Sequence, residues 1–454
     1  MKTIRLLTLS AALSLAAGGV PAQQKEYPAT LAGHALVPAH RMILPPPDAP
    51  AAFQVSGRFT GAGNLRVDAV GSIPQRTGIA LPFVGQPLQG FSGIKPVGDG
   101  SYWVLTDNGF GSKRNSPDAL LFFSRLTPDW KGGGVTVHQH VFISDPDRKL
   151  PFRIENEHTR ERYLTGSDFD PESIQPVADG FWIGEEFGPY LFHVDLRGRV
   201  TGVYPTMSGG RELRSPDHPA LQVGADPTKP VAFEVPRSGG YEGMALSPDG
   251  STLYALLEKP LLAADGKPEA ADGRRYLRIL EFSVGKRAWT GRELRFALED
   301  GATAIGDFNM IDARRALVIE RDDGEGDPSM ACAQGTKPSE ENRCFANPAR
   351  FKRIVLVDLQ TTDAQGFVRK LGYVDLMNVR DPQNRARLKG EARRDLAGIF
   401  TFPFFTIENV ARVDAEHIIV ANDNNLPFSV GRFTDRAADN EFILLRVPEL
   451  LEAR

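Results

Sequence analysis

Cysteine, histidine and long apolar runs are all scarce in this chain, and each scarcity removes a class of function. There are two cysteines among 454 residues, so neither a disulfide-dense scaffold nor a thiolate metal cluster is available. The eight histidines are scattered, and His417 sits inside a hairpin rather than at a repeated position, which disfavours zinc. Positive charge is not in excess: the formal net charge is -4, and nothing in it suggests a nucleic-acid partner. No Gly-x-Ser-x-Gly elbow is present, Gly90-Phe91-Ser92-Gly93 being part of a repeat, and Gly132-Gly133-Gly134 reads as a turn rather than a phosphate-cradling loop.

The apolar run Leu6 to Val20, preceded by Lys2 and Arg5 and followed by Val20-Pro21-Ala22, is expected to be a secretory signal peptide over residues 1–22. It extends about 15 residues, short of the ~20 a spanning helix needs, so no membrane partner is expected after cleavage. A periplasmic or secreted location follows, and no cysteine near the cleavage site points to a lipoprotein. In that oxidising compartment Cys332 and Cys344 are expected to form a disulfide around the polar segment between them.

What the chain does have is turn chemistry and repetition. With 45 glycines and 34 prolines, it reads as a turn-rich β protein rather than a helical one. Residues 23–52, with Pro45-Pro46-Pro47, read as an extended leader. From there five windows repeat one pattern: an acidic or small polar residue, an apolar strand, a tight turn, a second apolar strand and an acidic cluster. They begin at Phe91-Ser92-Gly93-Ile94, Pro171-Glu172-Ser173-Ile174, Tyr241-Glu242-Gly243-Met244, Gly306-Asp307-Phe308-Asn309 and Ile407-Glu408-Asn409-Val410. Turns such as Gly98-Asp99-Gly100 and Pro248-Asp249-Gly250 make each window a hairpin. Two more strand-like runs follow most hairpins, and four strands make a propeller blade.

The expected fold is all-β: a single propeller over residues 53–454 with five four-stranded blades, a sixth near the amino terminus being left open. The fifth unit supplies only three strands, and Leu65 to Val70 resembles the missing outer one, so the two ends of the chain are expected to pair and close the ring. Arg385 to Leu396, rich in charged helix formers, reads as a short helix within an insertion.

In a propeller the innermost strands converge, so repeated positions far apart in sequence share one site. Glu is disfavoured both in strands and in tight turns, so its recurrence needs a further cause. Facing carboxylates repel unless protons or a cation relieve them, and calcium, which takes six to eight oxygen ligands, suits this donor set. The candidate ligands are Glu172, Glu242, Glu408, Asp107, Asp307 and Asp423. Glu258 and Glu320, at second-strand ends, are candidate catalytic carboxylates, while Lys259, Arg321 and Arg114 are candidates to bind an anionic substrate.

As a set, Asp168-Phe169-Asp170-Pro171-Glu172-Ser173-Ile174, Tyr241-Glu242-Gly243-Met244 with Leu256-Leu257-Glu258-Lys259, Val318-Ile319-Glu320-Arg321-Asp322, and Glu408-Asn409-Val410 with Ala421-Asn422-Asp423-Asn424 resemble the family described as having esterase-like activity of phytase. Asn409 stands where many relatives have glycine. The resemblance implies a propeller that hydrolyses phosphate or other esters with calcium. The expected partner is a small anionic ester, with a calcium-dependent lactonase or carboxylesterase, or a non-catalytic binding propeller with a structural ion, as alternatives. Oligomeric state is not legible, a monomer being the simpler expectation.

Overall fold

The computed structural model describes residues 24–454 apart from 62, 64, 222, 223, 227, 230 and 391–396. The expected signal peptide lies outside the described residues, and so does half of the expected helix at Arg385 to Leu396.

The alternating apolar pattern of the repeats folds into five antiparallel sheets arranged as a propeller. From the axis outward, blade 1 comprises Phe91–Pro96, Tyr102–Thr106, Phe122–Pro128 and Val135–Phe142. Blade 2 comprises Pro171–Val177, Gly180–Glu185, Tyr190–Asp195 and Val200–Pro205. Blade 3 comprises Tyr241–Leu246, Thr252–Leu257, Arg274–Ser283 and Ala288–Ala297. Blade 4 comprises Ala304–Met310, Arg315–Arg321, Lys352–Thr362 and Val368–Asp375. Blade 5 comprises Thr406–Arg412, His417–Asp423 and Asn440–Arg446, completed by Thr30–Val37 from the start of the chain.

That last strand corrects the expectation that Leu65 to Val70 would close the ring. Thr30–Val37 runs antiparallel to Asn440–Arg446, with Leu31 opposite Leu445 and Ala35 opposite Phe442. Leu65 and Val70 belong to no strand and are exposed. The propeller therefore draws on the 23–52 segment, and the next stretch forms only two-residue pairings such as Val55–Ser56 with Phe83–Val84, not a sixth blade.

The core lies between blades. Successive residues of a strand face opposite ways, so Leu317 and Ile319 pack toward blade 5 while Ala316 and Val318 pack toward blade 3. Every gap between neighbouring blades holds such a cluster, including the closing gap where Ala35, Val37 and Phe442 meet Phe91, Val104 and Phe122. Each fully buried Leu or Phe contributes about 1.5–3 kcal/mol, so the gaps bind the ring together. The innermost strands touch in sequence around the axis, blade 5 returning to blade 1. Cys332 and Cys344 are joined by a disulfide in the loop that follows the second strand of blade 4.

Candidate active-site cavity

A shared irregularity turns the repeated acids into the axis. In blade 2, Pro171 lies opposite Glu185 and Ser173 opposite Gly184, leaving Glu172 as an extra residue without a ladder partner. Glu242, between Tyr241 and Gly243, and Glu408, between Ile407 and Asn409, are left over in the same way. Blades 1 and 4 shift register at the same place. A β-bulge re-aims the side chain of its extra residue, so the Glu that neither strand nor turn favours is carried by the bulge.

Matching the five registers gives two rings of equivalent positions. The first reads Ser92, Glu172, Glu242, Gly306 and Glu408; the second, one residue beyond the partner of the residue that precedes each bulge, reads Asp107, Glu186, Glu258, Arg321 and Asp423. Blade 4 is the exception in both. A Cβ at Gly306 would lie 1.9 Å from the Ile407 carbonyl oxygen, so the approach of blade 5 requires glycine there. At the second position blade 4 places a cation, Arg321, among four acids.

All of these ring residues but Ser92 and Gly306 line one cavity of about 330 Å³, with Asp170, Lys259, Asp323, Phe405 and Asn425. Ligand oxygens of Asp170, Glu172 and Glu186 lie within 4.8 Å of one another, as do those of Glu172, Glu242 and Glu408, and those of Glu186, Glu242 and Glu258. Glu172 Oε2, Glu186 Oε1 and Glu242 Oε1 are buried without a hydrogen-bond partner. Around them, Ser92 Oγ donates to Glu408 Oε2 (2.8 Å), Asn108 Nδ2 donates to Asp170 Oδ2 (2.6 Å), and the Asn425 amide donates to Asp423 Oδ1 (2.7 Å). Arg321 Nη2 meets Glu258 Oε1 at 2.9 Å and Lys259 Nζ meets Glu258 Oε2 at 2.9 Å.

Burial, with mutual repulsion second, pushes Glu172, Glu186, Glu242 and Asp107 well above the usual carboxylate range. Burial and the neighbouring Asp423 bring Glu408 up to about 8, and burial brings Asp170 and Asp423 to about 6. Several carboxyls of the cavity thus hold protons near neutrality when no cation is bound. Calcium binds oxygens at 2.3–2.6 Å, so donors around one ion lie no more than about 5 Å apart. The all-oxygen donor set, its spacing and its three orphaned oxygens fit a hard cation.

The family described as esterase-like activity of phytase, Phytase-like, matches residues 86–426. The chain belongs to that family. An uncharacterized secreted protein of Arthroderma benhamiae is 32% identical over 124 residues, a match that spans 25% of this chain and 24% of that protein. Among solved structures, a Pseudomonas aeruginosa periplasmic gluconolactonase aligns at 14% identity over 81% of this chain and 90% of its own, with a TM-score of 0.30. A Bacillus subtilis arabinanase aligns at 10% identity over 84% and 96%, with a TM-score of 0.32. No described helix of the Phytase-like chain is long and apolar enough to cross a membrane.

The cavity gathers Glu172, Glu242, Glu408, Asp107, Asp423, Glu258, Lys259 and Arg321 as expected from the repeats, and it excludes three other candidates. Asp307 lies one residue past the bulge position. Its Oδ2 accepts the Val410 amide and Asn309 Nδ2, both at 2.9 Å, and burial brings it to about 7 although Lys95 faces it. Glu320, opposite Ile305, lies one residue before the axial Arg321 and so faces the other way, its carboxylate reaching Lys370 Nζ (3.0 Å) and the Glu299 amide. Glu185 occupies the equivalent position in blade 2 and likewise accepts local amides, those of Phe187, Gly188 and Tyr190. Arg114 is exposed and lines a different cavity with Lys113 and Phe152. Asp170 and Glu186 join the site without having been candidates. Glu186 was visible as the second acid of Glu185-Glu186, and register alone decides which of the two enters.

Proposed function

We propose that this Phytase-like protein is an exported, calcium-dependent hydrolase of phosphate esters, with the cavity on the propeller axis as its active site. The observation that carries the reading is the contact between two unlike sets of groups. Carboxylate oxygens clustered within 4.8 Å, several without partners, stand beside a buried guanidinium and a lysine on the same cavity wall. Calcium would be held by Asp170, Glu172, Glu186, Glu242 and Glu408, with Asp107 and Asp423 bordering the set. When bound, calcium supplies charge neutralisation for the phosphoryl oxygens and lowers the pKa of a ligated water.

The rest falls to the chain's own side chains. Arg321 and Lys259 receive the phosphoryl oxygens, and Arg321 Nε is a buried donor with no partner of its own. Glu258 is a positioning residue that pins both cations through its two oxygens. In the hydrolysis a water oxygen forms the new bond to phosphorus and gives up a proton, the bond from phosphorus to the ester oxygen breaks, and the leaving oxygen takes up a proton to become the free alcohol.

The test is to strip the purified chain with a chelator, resupply calcium, and assay phosphomonoesters, phosphodiesters, phytate and lactones. Calcium-dependent release of phosphate, lost in Arg321→Gln, is the expected result. Turnover of lactones alone would move the protein to the lactonase class. No turnover of any compound, with calcium still raising the melting temperature, would make it a binding propeller with a structural ion.

A further inference from the structure

The axial cavity does not end at its charged groups. Asp323, Phe405 and Asn425 line it and also line a second cavity of about 400 Å³, which opens beside the Cys332–Cys344 loop and is walled by Phe345, Phe428 and Arg76. The two cavities thus share a wall, the axial one lined mainly by charged groups and the outer one by Phe345, Phe405 and Phe428 among its polar residues.

Phe405 and Phe428 are 36% and 39% exposed, and no other phenylalanine among the described residues is exposed to that degree. Both are held from behind by their backbones. The Phe405 carbonyl accepts from the buried Lys352 Nζ (2.9 Å), and the Phe428 amide donates to the Asn425 carbonyl (2.7 Å). More than a third of each residue is left in water on a hydrogen-bonded backbone, apolar hydration that folding has not removed. The Arg321 guanidinium carbon lies 5.8 Å from the Phe405 ring centre, so the anion-binding side chain and the aromatic shelf are neighbours.

The charge along the shelf is also informative. It carries Asp323, paired with Arg321 Nη1 at 3.3 Å, and Glu325, which Arg76 faces at 3.6 Å. A polyol bearing several phosphates would set its remaining negative charges against those two acids.

We infer that the Phe405–Phe428 cavity is the subsite for the alcohol part of the substrate, and that this alcohol is apolar, an arylalkyl or alkyl group carrying one phosphate. The inference rests on the hydrolase reading above and narrows its substrate class. A phosphate seated at Arg321 and Lys259 would lay its ester group over Phe405, and stacking on one or two rings would favour the bound ester by about fivefold.

Methyl phosphate, benzyl phosphate and phytate, supplied to the calcium-loaded full chain, test this, since methanol and benzyl alcohol are leaving groups of similar basicity. The expected result is a KM for benzyl phosphate about fivefold below that for methyl phosphate with similar kcat, and phytate poorer than either. Phe428→Ala should raise the benzyl phosphate KM and leave methyl phosphate unchanged, and Phe428→Tyr should restore it. Calorimetric binding of benzylphosphonate and methylphosphonate reads the shelf without turnover. If no ester is cleaved but benzylphosphonate still binds more tightly, the hydrolase reading fails and the subsite stands. Equal binding of the two phosphonates, no binding of either, or a preference for phytate overturns the subsite.

Discussion

Replacing Glu408 by glutamine isolates the electrostatic cost of the carboxyl cluster. In the fold, burial and the charge of Asp423 hold the Glu408 proton to about pH 8, against 4.5 for an unperturbed glutamate, even though Arg321 and the Ser92 hydroxyl act the other way. Between those two values the folded state binds a proton that the unfolded chain has already released, so stability falls as pH rises. Glutamine has no such proton, and its amide oxygen can still accept from Ser92. Relative to Glu408→Gln, the metal-free wild type should therefore lose on the order of 3 kcal/mol between pH 5 and pH 8, one pKa unit being about 1.4 kcal/mol. On a chain of this size that is a relative change of about 3 °C in melting temperature. Melting curves of both proteins in chelator at pH 5, 6, 7 and 8 read it directly. The histidines His140, His193 and His218, whose burial lowers them and which are not among the groups that shift Glu408, are common to both chains and cancel. Calcium should then stabilise the wild type more at pH 8 than at pH 5, and the variant less at pH 8 than the wild type. A difference between the two proteins that stays constant from pH 5 to pH 8 refutes the reasoning, because Glu408 would then be ionised throughout.

Three further outcomes are expected. Gly306→Ala should destabilise the ring by about 3 kcal/mol or prevent its folding, since the new Cβ would meet the Ile407 carbonyl of the next blade at 1.9 Å; chemical denaturation measures it. Deleting residues 24–37 should leave Asn440–Arg446 without its outer partner and abolish the single cooperative melt, whereas a chain that still melted sharply would show blade 5 to be self-sufficient. Arg321→Gln should weaken calorimetric binding of inorganic phosphate to the calcium-loaded protein by about tenfold or more, the value of charge-assisted hydrogen bonds.

The blades were legible because hairpins write themselves locally: apolar alternation, an Asp-Gly turn and a second alternation need only neighbouring residues. The disulfide was legible for the equally simple reason that there are two cysteines. The closing strand was not, because Thr30–Val37 finds its partner more than 400 residues later and no turn announces the pairing. Its apolar residues Leu31, Ala35 and Val37 do alternate, but Gly33 and a buried His34 interrupt the pattern. In the site, the type of residue was readable and the register was not. A single bulge decides whether Glu185 or Glu186, Glu320 or Arg321, faces the axis, and a one-residue slip reverses the facing of every side chain beyond it. Blade 4 misleads for this reason. Its acids, Asp307 and Glu320, fall one place to either side of the axial positions, which Gly306 and Arg321 occupy.

The strand that completes blade 5 is made more than 400 residues before its partner. Glu408 and Asp423 belong to that blade, so the constellation that would hold calcium has no complete form on a nascent chain, however long the earlier blades have had to fold. Four blades can condense from contacts close in sequence, but the fifth must wait for an encounter between the two ends, the costliest closure in the molecule. Assembly of the carboxyl cluster thereby waits for the fifth blade, whichever of the others has formed.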